Sequence, residues 1–203
     1  ELFQWLVAQR GHEIVFLTQR RDVPPVEGAE IVIYSPHHKA AEDAYALSSY
    51  WEECCGNGYG AAQACETLKD EGFRPDIILG HVGWGELTFM KQVWPDVPVL
   101  GLFEYFFLSE GGSVGFDPEF PASDQARFTM HARNAVNFAN IQTVDLGHSP
   151  TRWQRDTFPQ SFHDKIYVCH DGIRTDLLRP DDKAQVKLGR IDRPLTRRDE
   201  VFT

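Results

Sequence analysis

Short apolar segments alternate with helical segments along most of this chain, and that alternation limits the possible folds more than any other feature. The apolar segments are residues 14–17, 31–34, 76–79, 97–103, 143–146 and 165–168. Apolar residues at helical spacing occupy residues 1–11, 44–72, 87–93, 123–139 and 150–158. Since strands that alternate with helices pair in parallel and carry helices on both faces, the sequence predicts an α/β fold with a doubly wound, mostly parallel sheet.

Three finer predictions follow from the same patterns. The continuous apolar run at 14–17 predicts a strand buried on both faces. The glycine-rich stretch 56–60 predicts an interruption of the long helical region. Ser123 predicts the N-cap of a helix, whose apolar face would consist of Phe128, Ala132, Ala135 and Ala139.

Charge and composition exclude several classes of protein. The 203 residues carry a net charge of −10, which disfavours sequence-independent binding to nucleic acid. No apolar run approaches the ~20 residues that span a bilayer, and the start shows no signal-peptide pattern. The cysteines at 54, 55, 65 and 169 lack zinc-ligand spacing. We therefore expect reduced, buried thiols in a cytoplasmic protein.

Polar residues and glycines cluster where the predicted strands end. Ligands of open parallel sheets bind beyond these carboxyl ends, so the clusters predict a ligand crevice. A histidine there can act as acid, base or hydrogen-bond partner, although each one taken singly is more often structural. Trp84 and Tyr105 would either stack on a ligand or pack in the core. The clusters comprise residues 80–86, Glu104 and Tyr105, residues 147–150 and residues 170–173.

Several ordered motifs resemble those of family 4 glycosyltransferases. Residues 149–154 (SPTRWQ), Phe158-Pro159 and residues 165–180 are similar to the inter-domain signature of that family. Asp171 stands where the family commonly has Asn, and Arg174 where it commonly has Asp. Residues 81–86 (HVGWGE) and 115–121 (GFDPEFP) resemble a bacterial subgroup. The resemblance covers nearly the whole chain.

This resemblance implies the N-terminal half of a GT-B fold, in which two Rossmann-like domains face a cleft. Residues 1–180 would be the acceptor-side domain, with its first strand missing. Residues 181–203 would be a polar linker to a donor-binding C-terminal domain that these residues do not include. We therefore expect the 203 residues alone to be inactive.

The resemblance also implies an activity and a set of site residues. The activity is transfer of a sugar, with retention of configuration, from a UDP-, GDP- or similar nucleotide sugar to a carbohydrate or lipid-linked acceptor, without a metal or other cofactor. His81 would contact the transferred sugar or acceptor near the reaction centre. The acceptor pocket would include Gly83, Trp84, Glu86, Glu104 and Tyr105, and the cleft or hinge would include His148, Asp171 and Gly172. The location implied is cytoplasmic, with peripheral association to the inner membrane left open.

Two alternatives remain at this point. The same crevice would suit another GT-B enzyme, such as a sugar-nucleotide epimerase or a phosphorylase-like protein. It would also suit a Rossmann-like binding module without enzymatic activity.

Overall fold

A computed structural model of the chain describes residues 2–9, 11–189, 191, 193–196 and 198–199. The chain divides into two compact units, Glu1–His170 and Asp171–Thr203. The first unit contains a two-stranded sheet in the order β1-β2 and a four-stranded sheet in the order β3-β4-β5-β6. Every strand pair is parallel, which confirms the predicted α/β, Rossmann-like architecture.

The helices and strands follow the predicted alternation. Among the described residues, no helix has the length and apolar character needed to cross a membrane. A 3-10 helix at Gln160–Lys165 precedes the last strand. The other elements are α1 (Leu2–Gln9), β1 (Val15–Thr18), β2 (Glu30–Ile33), α2 (Ser49–Asp70), β3 (Ile78–His81), α3 (Met90–Val93), β4 (Val99–Leu102), α4 (Asp124–Arg133), α5 (Ala135–Thr143), β5 (Leu146–Ser149), α6 (Arg152–Thr157) and β6 (Ile166–Val168).

The core of the first unit surrounds β4, which lies between β3 and β5. Val99, the first residue of this strand, and Phe103, which follows its last residue, are almost completely buried. The Phe103 ring packs edge-on against Phe158 and lies over Gly147 of the neighbouring strand. Because a side chain at Gly147 would collide with this ring, glycine is required there for close packing.

The prediction that residues 14–17 form a strand buried on both faces is wrong. Phe16 is 43% exposed, and the other β1 side chains are only half-buried. Within the described residues, β1 has a hydrogen-bonded neighbour on one side, which is β2. The apolar sequence therefore identifies the strand, but burial also depends on the strand's neighbours, and within the described residues β2 is the one that pairs with it.

The predicted interruption at residues 56–60 is also wrong, since α2 continues through these glycines. Side chains at Gly56 and Gly60 would collide with the carbonyls of His38 and Ser35, and one at Gly58 with the Gly85 carbonyl. The glycines therefore let the loop after β2 and the turn after β3 contact the helix backbone directly.

The helical region after Ser123 differs from its predicted form. Ser123 is the N-cap, as predicted, and its hydroxyl accepts a hydrogen bond from the Ala126 amide. The helix breaks at Asn134 into α4 and α5. The predicted apolar face is wrong, because Phe128 and Ala135 are exposed. The buried face of α5 instead consists of Val136, Asn137, Asn140, Ile141 and Thr143.

The second unit contains little regular structure. Val186 and Leu195 form an antiparallel bridge with backbone hydrogen bonds in both directions. Arg193 pairs with Asp199, and the Asp199 carboxylate also accepts the amide of Thr196. Most described residues of this unit are exposed. The predicted linker role of residues 181–203 stays a prediction, and residues 190, 192, 197 and 200–203 lie outside the described residues.

Candidate functional site

His81 is the last residue of β3, and its ring has a fixed orientation. Its Nδ1 atom accepts a hydrogen bond from the Gly83 amide at 2.9 Å. Because an amide N–H can only donate, the neutral ring must carry its proton on Nε2. The Nε2 atom lies 3.0 Å from a carboxylate oxygen of Glu104, so His81 donates to Glu104. The neutral tautomer is thereby set by the backbone of the turn.

Burial and the Glu104 carboxylate act in opposite directions on His81. Burial lowers the pKa of His81, whereas the hydrogen bond to Glu104 and its negative charge raise it, and burial has the larger effect. The net pKa lies below the ordinary value, which favours the neutral ring near pH 7. Glu104 is about half exposed, so its second oxygen can meet a ligand.

Trp84 covers one face of the His81 ring. The two rings stack with centroids 4.2 Å apart and an interplanar angle of 19°. Trp84 is nevertheless 56% exposed, which leaves indole surface open to solvent. A sugar ring can pack its apolar C–H face on an indole of this kind, while its hydroxyls bond to nearby polar groups.

Two side chains of α2 hold the turn after β3 through hydrogen bonds. The Tyr50 hydroxyl donates to the Gly83 carbonyl at 2.7 Å, and the Asn57 side chain donates to the Trp84 carbonyl at 3.0 Å. Gly85 adopts a positive φ of 103°, which favours glycine. Burial raises the pKa of Cys54 to about 12, so this thiol beneath the turn stays protonated and structural.

Glu86 belongs to a second polar group at the same end of the strands. Its carboxylate accepts a hydrogen bond from the Tyr34 hydroxyl at 2.6 Å, and Tyr34 accepts one from the Gln19 amide at 2.8 Å. Burial, together with the Glu86 carboxylate, raises the pKa of Tyr34, which keeps the phenol protonated as a donor. Residues that follow β1, β2 and β3 are thus joined in one chain of hydrogen bonds.

Tyr105 packs against aromatic neighbours. Its ring stacks on Trp153 at 5.8 Å, and its hydroxyl accepts the Ser113 amide at 3.1 Å. These contacts favour the packing role over free stacking on a ligand. The residue before it, Glu104, is the one whose side chain forms a hydrogen bond with His81.

Three asparagines that the sequence interpretation missed support the loops of the site. Asn134, Asn137 and Asn140 are completely or almost completely buried. Asn140 donates to the Val82 carbonyl at 2.5 Å, and Asn134 bonds to both the amide and the carbonyl of Phe107. They therefore hold the segment after β3, which follows His81 directly, and the segment after β4, which carries Glu104. Their spacing of three residues in a helical segment is the signal that could have revealed them.

The remaining predicted residues lie elsewhere. His148 lies in the same row of the sheet as His81, with Leu102 between them, so the two histidines belong to the same edge two strands apart. Asp171 and Gly172 begin the second unit, where Gly172 adopts a positive φ of 77°. The structure therefore brings together His81, Gly83, Trp84 and Glu104, with Glu86 close by.

The described residues contain no group of three or more His, Cys, Asp or Glu side chains that could hold a metal ion. A comparison with curated proteins finds no match. A family model described as the glycosyl transferase family 4 group matches residues 10–178, most of the chain and all the strands of both sheets. The chain therefore belongs to family 4 of the glycosyltransferases, as an N-terminal domain.

Proposed function

We propose that this chain is the acceptor-side domain of a retaining glycosyltransferase, which moves a sugar from a UDP-, GDP- or similar nucleotide sugar to a saccharide or lipid-linked acceptor. The observation that carries the proposal is the His81–Glu104 pair beside the open face of Trp84. Family membership supports the transfer reaction, and this group of side chains supports the position of the sugar. Donor binding would lie mainly in a C-terminal domain outside these residues.

The proposed roles follow from the hydrogen-bonding capacity of each group. In the reaction, an acceptor hydroxyl oxygen replaces the nucleoside diphosphate at the anomeric carbon, so the acceptor must be held at that carbon. The half-exposed Glu104 carboxylate would accept a hydrogen bond from an acceptor hydroxyl. The Nε2–H group of His81 donates to Glu104 in this structure, and it would bind an oxygen of the transferred sugar or acceptor by sharing that hydrogen bond or by exchanging it for one to the substrate.

The apolar and backbone parts of the pocket would complete the binding site. Trp84 would pack against a sugar ring, and Gly83 leaves space beside the His81 ring. Glu86 and Tyr105 would line the pocket behind these groups. His148, Asp171 and Gly172 would belong to the cleft or hinge. The reaction needs no metal or other cofactor in this proposal.

The test is a donor screen on the full-length protein, with labelled UDP- and GDP-sugars and a mixture of saccharide acceptors. We expect His81→Ala to lower kcat/KM by ~10²-fold or more, since removal of one positioned donor has an effect of that size. His12→Ala is the matched control, because His12 is exposed and lies before β1. Epimerised free nucleotide sugar without a glycosylated product would instead support the epimerase alternative, and equal activity of both variants would contradict the role of His81.

A further inference from the structure

Arg133, the last residue of α4, carries a positive charge that has no acidic partner among the described residues. Its side chain is partly buried, and its Nε atom is fully buried without a hydrogen-bond partner. Arg127 on the same helix differs, because it pairs with the Glu110 carboxylate at 2.8 Å. Since a partly buried charge normally has a counter-charge, the isolation of Arg133 requires an explanation.

Two aromatic rings hold the guanidinium of Arg133. Its Cζ atom lies 4.9 Å from the centre of the Tyr50 ring and 5.6 Å from the centre of the Phe107 ring. Cation–π contacts of this kind attract the charge but use none of its N–H groups. The two terminal nitrogens of Arg133 form no hydrogen bond within the described part of the chain and are not buried. The rings therefore orient a cation whose outer donors remain accessible.

The ionisable groups beside Arg133 cannot supply the negative charge that it lacks. Burial raises the pKa of Tyr50 to about 12, and the opposing effect of the Arg133 charge is smaller. Burial likewise raises the pKa of the neighbouring Cys54 thiol to about 12. The phenol and the thiol therefore keep their protons near pH 7. A counter-charge for Arg133 must come from a bound ligand.

The same two rings connect Arg133 to the candidate site. The Tyr50 hydroxyl donates to the carbonyl of Gly83, the residue whose amide orients the imidazole of the site. Phe107 follows Glu104 closely in the segment after β4. The guanidinium thus lies between the turn after β3 and the segment after β4, separated from Gly83 by one tyrosine side chain.

We propose that Arg133 binds an oxyanion of the acceptor, a phosphate or a carboxylate, so that the acceptor of this enzyme is an acidic molecule. A planar guanidinium presents paired N–H donors that match both groups bidentately. Because this role rests on the transferase function proposed above, Glu104 would hold the acceptor hydroxyl while Arg133 holds the anionic group. The net charge of −10 repels anions at long range, so an acidic acceptor needs a specific cation in its site.

Anion titrations of the isotope-labelled full-length protein test this contact without any transfer reaction. The probes are methyl phosphate and acetate, with chloride at the same ionic strength as the control. We expect the Nε–H NMR resonance of Arg133 to shift saturably with at least one probe, while that of the paired Arg127 does not. Tighter binding of methyl phosphate would indicate a phosphorylated acceptor, and tighter binding of acetate a carboxylate. Shifts that do not saturate, or that are equal at both arginines, would overturn the proposal.

Two substitutions of Arg133 separate ligand binding from a structural role. In transfer assays on the full-length protein, Arg133→Gln should lower kcat/KM for acidic acceptors by roughly 10-fold or more, the effect of losing a charge-assisted hydrogen bond. Neutral acceptors should be little affected. Arg133→Lys keeps the charge without the planar fork, so its loss should be smaller. Arg127→Gln is the matched control, because it removes the same charge from the same helix.

The outcomes distinguish the acidic acceptor from the transferase function itself. Transfer to neutral acceptors alone, or an equal loss of kcat/KM for both kinds of acceptor in Arg133→Gln, would overturn the acidic acceptor and leave the transferase function intact. Lower stability of both Arg133 variants in urea, with an unchanged preference for acidic acceptors, would assign Arg133 a structural role instead. Saturable anion binding without transfer to any acceptor would contradict the transferase function, and with it the acidic acceptor.

Discussion

Strands β1 and β4 have similar apolar sequences but different surroundings. Val99–Leu102 of β4 lies between two hydrogen-bonded strands, whereas Val15–Thr18 of β1 pairs, within the described residues, with β2 alone. Phe103, just after β4, is 0% exposed, while Phe16 within β1 is 43% exposed. The comparison teaches that apolar sequence locates a strand, but the neighbours determine how much free energy its burial contributes.

Two phenylalanine truncations test this comparison most strongly. Phe103→Ala should lower the free energy of unfolding by about 3–5 kcal/mol, because it leaves a cavity against Phe158 and Gly147. Phe16→Ala should cost about 1 kcal/mol or less in the 203-residue chain, because the ring is only partly buried. Urea denaturation of both variants measures the difference, and equal costs would contradict it.

Two asparagine truncations test whether the difference between buried and exposed positions also holds at the turn after β3. Asn140→Ala should lower the free energy of unfolding by about 1–3 kcal/mol, because the buried Val82 carbonyl loses its partner. Asn57→Ala removes a similar bond to the Trp84 carbonyl, but at an exposed position, and should cost about 0.5 kcal/mol or less. If urea denaturation shows a larger loss of unfolding free energy for Asn57→Ala than for Asn140→Ala, the stability of the turn depends mainly on its exposed side.

The smallest expected effect concerns His81, which is partly buried at the end of β3. Its NMR titration measures how strongly burial acts at this position. Its NMR titration midpoint should lie below the ordinary value of 6.5, since burial lowers the pKa. Glu104→Gln should lower the midpoint further, because the negative charge that favours the imidazolium is removed. A midpoint at or above 6.5 in the unmodified protein would contradict the dominance of burial.

The lowered pKa of His81 also determines how the free energy of unfolding changes with pH. Between the lowered folded pKa and the ordinary unfolded value, the unfolded chain binds more protons than the folded chain. The contribution of His81 to stability is therefore fully present above the unfolded value and falls as the pH decreases through the folded pKa. Urea midpoints measured across this range, with His81→Gln as the control, should show the loss only when the histidine is present.

The sequence predicted the order of strands and helices because periodicity and glycine placement are local properties. It also located His81 and Glu104 at strand ends, since the ends of parallel strands share one edge. It could not predict the exposure of Phe16, which depends on a neighbouring strand. It missed the unbroken α2 and the buried Asn137 and Asn140, because the loops that contact them are distant in sequence.

The glycines of α2 have a consequence for the motion of the site. Where Gly58 contacts the carbonyl of Gly85, the backbone of α2 packs directly against the backbone of the turn after β3, with no rotatable side chain between them. Side-chain rotamers exchange within picoseconds to nanoseconds, but such a contact has no rotamers to sample. On heating, the exposed Trp84 side chain should therefore become mobile at a lower temperature than the backbone of the turn after β3. The turn thus keeps the His81 ring in a constant position.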